Sequence, residues 1–303
     1  MTSTKPDFHA WFPEIDGFPR PDWKMIRECI RLNVLPEKVD DAWREVARVW
    51  LERTCRCLDN SYGLAESENF HLLSELDSKH ADELLQFLEQ SRARIRCVLG
   101  DLSLPRHHGK HVVMRFTTEE EYYRYISYFD LEGEYAGSSG RFLSGGYLHI
   151  ACLRHETPGI DRVTLVHELT HNLLHGFSLP RWLNEGLAME FERDLSGHRW
   201  PSVTRELAAR QAEYWNAQTI QEFWRGASFS KPEGQELAYG LSRVLMDLIA
   251  TDLRPSPSRF RDFLLHADRK DAGAAAASEY LGVELDDLVS TFLGPGEWMP
   301  RSA

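Results

Sequence analysis

Residues 164–172 read TLVHELTHN, a stretch with two histidines four positions apart and a glutamate directly after the first. On a helix, the imidazoles of His167 and His171 project side by side about one turn apart, as two ligands of a tetrahedral zinc ion require. Glu168 then points to the side of this pair, where its carboxylate can reach a water molecule without binding the metal. The stretch therefore predicts the centre of a metal-dependent active site.

The residues around this stretch predict the helix itself. Leu165, Leu169 and Leu173 recur every four positions and would form one apolar face. Asp161, which follows a proline and a glycine, is expected to cap the helix at its amino end.

A catalytic zinc ion needs a third protein ligand, and two nearby positions do not provide it. Metzincins take this ligand from the last histidine of HExxHxxGxxH, but Leu174 and Phe177 stand where that pattern needs glycine and histidine. His175 is rotated by roughly 80° from His167 around the helix, so we expect it to lie off the metal.

A carboxylate fourteen residues after His171 is better placed. Residues 180–192 read PRWLNEGLAMEFE, and Pro180 can begin a second helix. The intervening chain is long enough to turn back and bring Glu185 to the same ion.

These two segments together resemble the gluzincin metallopeptidases, whose pattern is HExxH on one helix and NExxA on the next. Asn184, Glu185 and Ala188 match the second half of that pattern. The preceding Trp182 and Leu183 give the WLNEG form that is similar to aminopeptidase-N-like and peptidase-MA-like members.

The resemblance implies an α+β, zincin-like fold with a small mixed sheet over an active-site helix, followed by a mostly helical C-terminal lobe. A weaker likeness to the peptidase-MA-like group extends over residues 67–300. We therefore expect a zincin-like domain over 67–303, with the sheet and active-site helix in 67–176 and the helical lobe in 177–303. Residues 1–66 carry no such likeness, and their tryptophans predict an arm and a helix that pack on the body.

The same resemblance implies one zinc ion per chain, bound by His167, His171 and Glu185. Zinc lowers the pKa of a bound water to about 7. Glu168 would accept the proton of this water and deliver it to the leaving amine.

Gluzincins also use a downstream tyrosine or histidine to stabilise the oxyanion of the transition state. Tyr239 is the predicted residue, because it lies off the apolar stripe of its helix. Packing at the edge of that stripe is the alternative role for Tyr239, and Tyr214 is the alternative catalytic tyrosine.

GGYLHIAC, residues 145–152, precedes the predicted metal-binding helix, where a zincin has the edge strand that pairs with an extended peptide. Gly145 and Gly146 would let a substrate backbone approach closely, and Leu148 completes the predicted substrate contact. An ordinary hairpin loop explains the two glycines equally well.

Periodicity and turn residues predict the other elements of the chain. Residues 1–36 are expected to form an extended arm, and the chain after 158 is expected to be almost wholly helical. The remaining predicted elements are helices over 37–58, 78–99 and 119–129 and strands over 68–75, 111–118 and 145–152.

Two further groups of potential ligands are expected to bind no metal. His107, His108 and His111 lie in a segment that reads as a solvated loop. Cys55 and Cys57 are two positions apart on a predicted helix, so their side chains point in different directions.

The composition of the chain limits which partners and which cellular compartment are expected. The chain has 47 acidic and 35 basic side chains and a formal net charge of −12, which argues against a nucleic-acid or anionic-membrane partner. No stretch approaches eighteen apolar residues, and the N-terminus lacks the pattern of a secretory signal. The five cysteines are scattered and odd in number, which is typical of reduced thiols, so a cytoplasmic location is expected.

The function predicted from these features is a zinc-dependent metallopeptidase acting on a peptide or protein. No GAMEN-like stretch precedes HELTH, so an endopeptidase is favoured over an aminopeptidase. One alternative is a non-catalytic binding or scaffold protein with a zincin fold, although Glu168 and all three expected ligands are present. Another is a zinc hydrolase that acts on a non-peptide amide. The oligomeric state is left open.

Overall fold

The architecture was obtained from a computed structural model of the 303-residue chain. The structure describes residues 11–100, 108–129, 137–157, 159–197 and 204–301. The chain divides into two compact units, Met1–Ala93 with Pro105–Asn172 and Arg94–Leu104 with Leu173–Ala303.

A five-stranded mixed sheet belongs to the first unit. Its strands are β3 (Gly63–Glu66), β4 (Phe70–Ser74), β5 (His111–Phe116), β6 (Gly140–Leu143) and β7 (His149–Leu153), after a short hairpin of β1 (Glu14–Ile15) and β2 (Phe18–Pro19). The spatial order is β3-β4-β5-β7-β6, in which β4, β5 and β7 run parallel and the two outer strands run antiparallel to their neighbours. The predicted α+β class with a small mixed sheet is confirmed.

Five helices begin in the first unit. They are α1 (Trp23–Asn33), α2 (Val39–Arg56), α3 (Ser78–Leu99), α4 (Glu119–Ile126) and α5 (Ile160–Leu173). The predictions for α2, α3 and α4 are confirmed to within a few residues, and Gly100 ends α3 with a positive φ of 60°.

The N-terminal segment is more regular than the predicted extended arm, because it contains α1. Asp22 caps this helix by accepting a hydrogen bond from the backbone N–H of Met25 at 2.9 Å. Ile26 and Ile30 are buried on one face of α1, in the apolar cluster that also contains Val46, Met114 and Tyr125 among its members. Residues of the first 66 positions therefore form part of the core under the sheet of this unit.

The second unit is helical throughout its described part. Its helices are α6 (Arg181–Leu195), α7 (Arg205–Tyr214), α8 (Thr219–Trp224), α9 (Gln235–Leu248), α10 (Pro257–His266), α11 (Ala274–Ala276) and α12 (Leu285–Leu293). The prediction that the chain is almost wholly helical after 158 is confirmed for these residues. None of the described helices combines the length and the apolar character needed to cross a bilayer.

Two strands of the five-stranded sheet, β3 and β6, were missing from the prediction, as was the short hairpin of β1 and β2. β3 is half-exposed and contains no run of large apolar residues, and β6 lies in a segment dominated by glycine and serine. Both take their strand conformation from pairing with a buried neighbour, β4 or β7, rather than from their own composition.

Candidate metal centre

The amino end of α5 is held to the sheet by an ion pair. The guanidinium of Arg115 on β5 donates to Asp161 from Nε at 2.8 Å and from Nη2 at 2.6 Å, and it also pairs with Glu75. Burial lowers the pKa of Arg115, but the hydrogen bonds to the two carboxylates outweigh this effect and hold its pKa above the ordinary value. Asp161 lies in the first turn of α5, so its predicted role as the cap is wrong. It anchors the helix instead.

The side chains of α5 lie as the apolar repeat predicts. Leu165, Leu169 and Leu173 are all buried. His167 and His171 are half-buried, with ring centroids 4.6 Å apart and ring planes at 80° to each other. Two ring nitrogens therefore lie close together on one side of the helix.

Glu185 on α6 completes a group of three potential ligands. One nitrogen from each of His167 and His171 and one carboxylate oxygen of Glu185 all lie within 4.8 Å of one another. Within the described ranges of the chain, this is the one group of histidine, cysteine and acidic side chains with that geometry. Such a group could hold a metal ion.

The local packing of α6 explains the residues around Glu185. Pro180 is the N-cap, as the sequence predicted for the start of this helix, and the indole of Trp182 donates to the carbonyl of Ala272 at 2.9 Å. A Cβ at Gly186 would overlap the side chain of Met246 on α9, so glycine is needed where these helices pack closely. Two residues of the WLNEG stretch are thus explained by packing.

Arg181 is a neighbour of Glu185 that the sequence analysis missed. Its Nε lies 3.7 Å from Oε1 of Glu185, one helical turn away. The i, i+4 spacing of opposite charges was visible in the sequence and could have indicated this pair. The guanidinium also lies over the ring of Phe229, 5.1 Å from its centroid.

Glu168 is buried and contacts the edge of the sheet. Its Oε2 accepts a hydrogen bond from the backbone N–H of Phe142 on β6 at 2.6 Å. This contact fixes one oxygen of the carboxylate and leaves Oε1 for another partner. No side-chain pattern could have shown it, because the donor is a backbone group.

The strand predicted to lie at the sheet edge is an interior strand. β7 pairs with β5 on one side and with β6 on the other, so β6 is the edge strand among those described. The two glycines of residues 145–152 precede β7. Gly146 has a φ of 147°, and a Cβ there would overlap the indole of Trp23. This packing explains Gly146 without a substrate, and a substrate contact at Gly145, Gly146 or Leu148 stays a prediction.

Contacts within the second unit connect Tyr239 to the surroundings of Glu185. Tyr239 is half-buried on α9, and its ring packs edge-on against Phe229 with centroids 5.3 Å apart. Phe229 is the same ring that lies under Arg181. The alternative residue, Tyr214, packs against Trp215 at 4.8 Å, and burial raises its pKa.

If the Tyr239 hydroxyl stabilises an oxyanion, Tyr239→Phe should lower kcat on the order of 10²-fold with little change in KM, because that contact strengthens only in the transition state. The phenyl ring would keep the contact with Phe229. Steady-state kinetics on a substrate of the wild-type protein measures the effect. Unchanged turnover would remove Tyr239 from the mechanism and make Tyr214→Phe the next variant.

The other potential ligands lie apart from the cluster. His175 follows the end of α5 and is exposed. His111 is buried at the start of β5, where Nδ1 contacts the Oδ1 of Asn172 at 2.8 Å, so its predicted place in a solvated loop is wrong. His108 is exposed and His107 lies outside the described residues. All five cysteines are free, including Cys55 and Cys57.

Comparisons of the chain with protein-family models, with curated proteins and with solved structures find no match. The function is therefore argued from the chemistry and geometry of the site.

Proposed function

We propose that the protein is a zinc-dependent metallopeptidase of the gluzincin type with a zincin-like fold. The observation that carries the proposal is the convergence of His167, His171 and Glu185. Glu168, the residue adjacent to the first of these ligands, supports the proposal because a general base is required at that place.

The donor set fits a catalytic zinc ion. Two imidazole nitrogens and one carboxylate oxygen are the ligands of known catalytic zinc sites, which leave a fourth position for water. Ligand atoms about 2.0–2.1 Å from a tetrahedral zinc are roughly 3.3 Å apart, which is within the 4.8 Å span of these three atoms. The cluster has no thiolate, so it does not suit Cu(I) or an iron–sulfur cluster.

Each residue would then have a defined task. When bound, zinc would lower the pKa of a water molecule to about 7 and polarise the substrate carbonyl. Oε1 of Glu168 would accept a proton from the attacking water and pass it to the leaving amine. The Phe142 N–H holds the other oxygen, so the carboxylate is oriented before substrate arrives. Tyr239 would donate its hydroxyl proton as a hydrogen bond to the developing oxyanion.

The edge strand β6 is a better candidate for substrate pairing than β7. Its backbone already reaches Glu168, and it has a strand on only one side among those described. The Phe142 N–H is already bonded to Glu168, so an extended peptide would pair with the other edge groups of β6 and would run beside the proposed general base.

Metal content tests the ligand assignment. The wild-type protein, purified without added metal, should contain one zinc per chain by elemental analysis. Glu185→Ala should weaken zinc affinity by at least about tenfold, because it removes a ligand. Loss of a residue that only hydrogen-bonds to a ligand already costs about 10–100-fold in metal affinity. Glu168→Gln is the matched control, since Glu168 is adjacent but not a ligand, and it should retain its zinc. A wild-type protein that contains no zinc and takes none up would refute the proposal.

A proteome-derived peptide library incubated with the zinc-loaded protein tests the reaction. New amino termini should appear within peptides, and they should be absent with Glu168→Gln. Zinc binding without cleavage of any peptide would favour the scaffold or the amidase alternative. A panel of non-peptide amides separates those two, because only the amidase would hydrolyse one.

A further inference from the structure

Arg20 is a buried cation that makes no close ion pair with a described carboxylate. Its side chain is 3% exposed, and it lies on the segment between β2 and α1. No carboxylate in the described part of the chain pairs with it within 4 Å, and burial lowers its pKa more than the neighbouring groups, Asp16 among them, raise it. A buried charge in this condition is costly unless a partner compensates for it.

The hydrogen-bonding capacity of Arg20 is only partly used. Nη2 donates to the carbonyl of Tyr125 at 3.0 Å and to that of Arg124 at 3.4 Å. Nε and Nη1 are buried and have no hydrogen-bond partner in the part of the chain that the structure describes. Three N–H groups of the buried guanidinium therefore lack an acceptor among the described residues.

Four aromatic rings surround the Arg20 guanidinium. Its central carbon is 4.4 Å from the ring centroid of Tyr128 and 4.6 Å from that of Tyr125, with Phe18 and Phe129 at 5.3 Å. These rings stabilise the cation through their faces, but they cannot accept its remaining N–H bonds in the way that oxygen does.

Arg20 lines a cleft that can admit a small group. The cleft has a volume of about 40 Å³, and its walls include Trp23, Trp50, Tyr125 and Tyr128. Trp50 and Tyr125 are buried, whereas Tyr128 is 41% exposed, so the cleft opens towards solvent at Tyr128. One water molecule needs about 10–15 Å³ on this scale, so the space suits a carboxylate group with the carbon next to it, and the rest of a ligand would extend through the opening at Tyr128.

We propose that this cleft is a carboxylate-binding site in which Arg20 pairs with the ligand's carboxylate and the aromatic walls contact its carbon atoms. Arg20 is the one charged residue among the described residues that line the cleft, so a monoanion balances it, whereas a phosphate or sulfate dianion would leave a second charge against aromatic carbon. A planar carboxylate also matches the planar guanidinium. The site shares no residue with the proposed metal centre.

Propionate is the probe, with propionamide as its uncharged match. In a buffer without other carboxylates and at constant ionic strength, propionate should change the tryptophan fluorescence saturably, because Trp23 and Trp50 line the cleft. It should also raise the thermal unfolding midpoint, since a ligand that binds only the folded state stabilises it. Propionamide should do neither. Equal effects of the two compounds, or none from propionate, would overturn the proposal without any need for a variant.

Arg20→Met keeps most of the side-chain volume and removes the charge. Propionate affinity should fall at least about tenfold, the loss expected when a charge-assisted bond is removed. Arg124→Met is the matched control, because Arg124 is exposed and lies over the same Phe18 ring. The propionate affinity of this variant should stay within about twofold of the wild-type value. Undiminished binding to a folded Arg20→Met protein would also overturn the proposal.

The carboxylate can belong to a free acid or to the end of a peptide. Acetylglycylglycine and its C-terminal amide distinguish these sources. Tighter binding of the peptide acid than of propionate would identify a chain end, and weaker binding would identify a small free acid. In either case the amide should not compete with propionate.

Discussion

Replacing Glu168 by glutamine should lower peptide hydrolysis by at least about a hundredfold, the lower end of what a positioned acid–base group contributes. Glutamine has nearly the same size and keeps an oxygen that can accept the hydrogen bond from Phe142. It cannot accept the proton of the attacking water. Single-turnover cleavage of a peptide found in the library screen measures the effect.

The metal content decides how this result is interpreted. A Glu168→Gln protein that keeps its zinc and loses activity supports the role of Glu168 as the general base. A variant with wild-type activity would defeat the mechanism. A loss of activity together with a loss of zinc would show instead that Glu168 supports the metal site.

Truncating Trp50 should cause the largest loss of stability among the variants considered. Trp50 is buried on α2, its indole donates to the carbonyl of Pro19 at 3.2 Å, and it packs edge-on against Trp23 and His149. Trp50→Ala would leave a large cavity and an unpaired carbonyl. The free energy of unfolding should fall by about 3–5 kcal/mol. Urea unfolding followed by far-UV circular dichroism measures this change.

Trp43 on the same helix provides the control for this truncation. It is half-buried and stacks on Trp23 with centroids 6.4 Å apart. Trp43→Ala should therefore cost clearly less than Trp50→Ala, because less apolar surface loses its cover. Equal losses would mean that the two tryptophans contribute equally to the core.

The elements that sequence predicted well are those whose own residues decide their conformation. The apolar residues of α2 and α5 recur with helical spacing and those of β4 form a short run, so each pattern describes one helix face or one strand. The helical content of the N-terminal arm was underestimated, because its prolines and aromatic residues favoured an extended conformation over α1. Asp22, the N-cap of α1, is a residue from which the start of this helix could have been predicted. β6 was missed because its pairing partner, rather than its residues, makes it a strand.

The residues of the candidate site likewise differ in how far the sequence could predict their positions. HExxH has a fixed spacing on one helix, so the nearness of His167 and His171 followed from helical geometry alone. The spacing after His171 allowed Glu185 to reach the same ion, but the resemblance was needed to support the choice, because the place of Glu185 depends on how the chain turns before α6. The contact of Glu168 with a backbone N–H and the open donors of Arg20 depend on tertiary packing, which no local pattern encodes.

The hydrogen bond between Phe142 and Glu168 also bears on self-association. An edge strand with bare N–H groups is a template on which another copy of the chain can add a strand. At Phe142 on β6, a charged side chain occupies that donor. Alanine at position 168 would remove both the charge and the acceptor, so it would encourage edge-to-edge aggregation for reasons unrelated to chemistry. Glutamine keeps the acceptor, which makes it the cleaner substitution at this position.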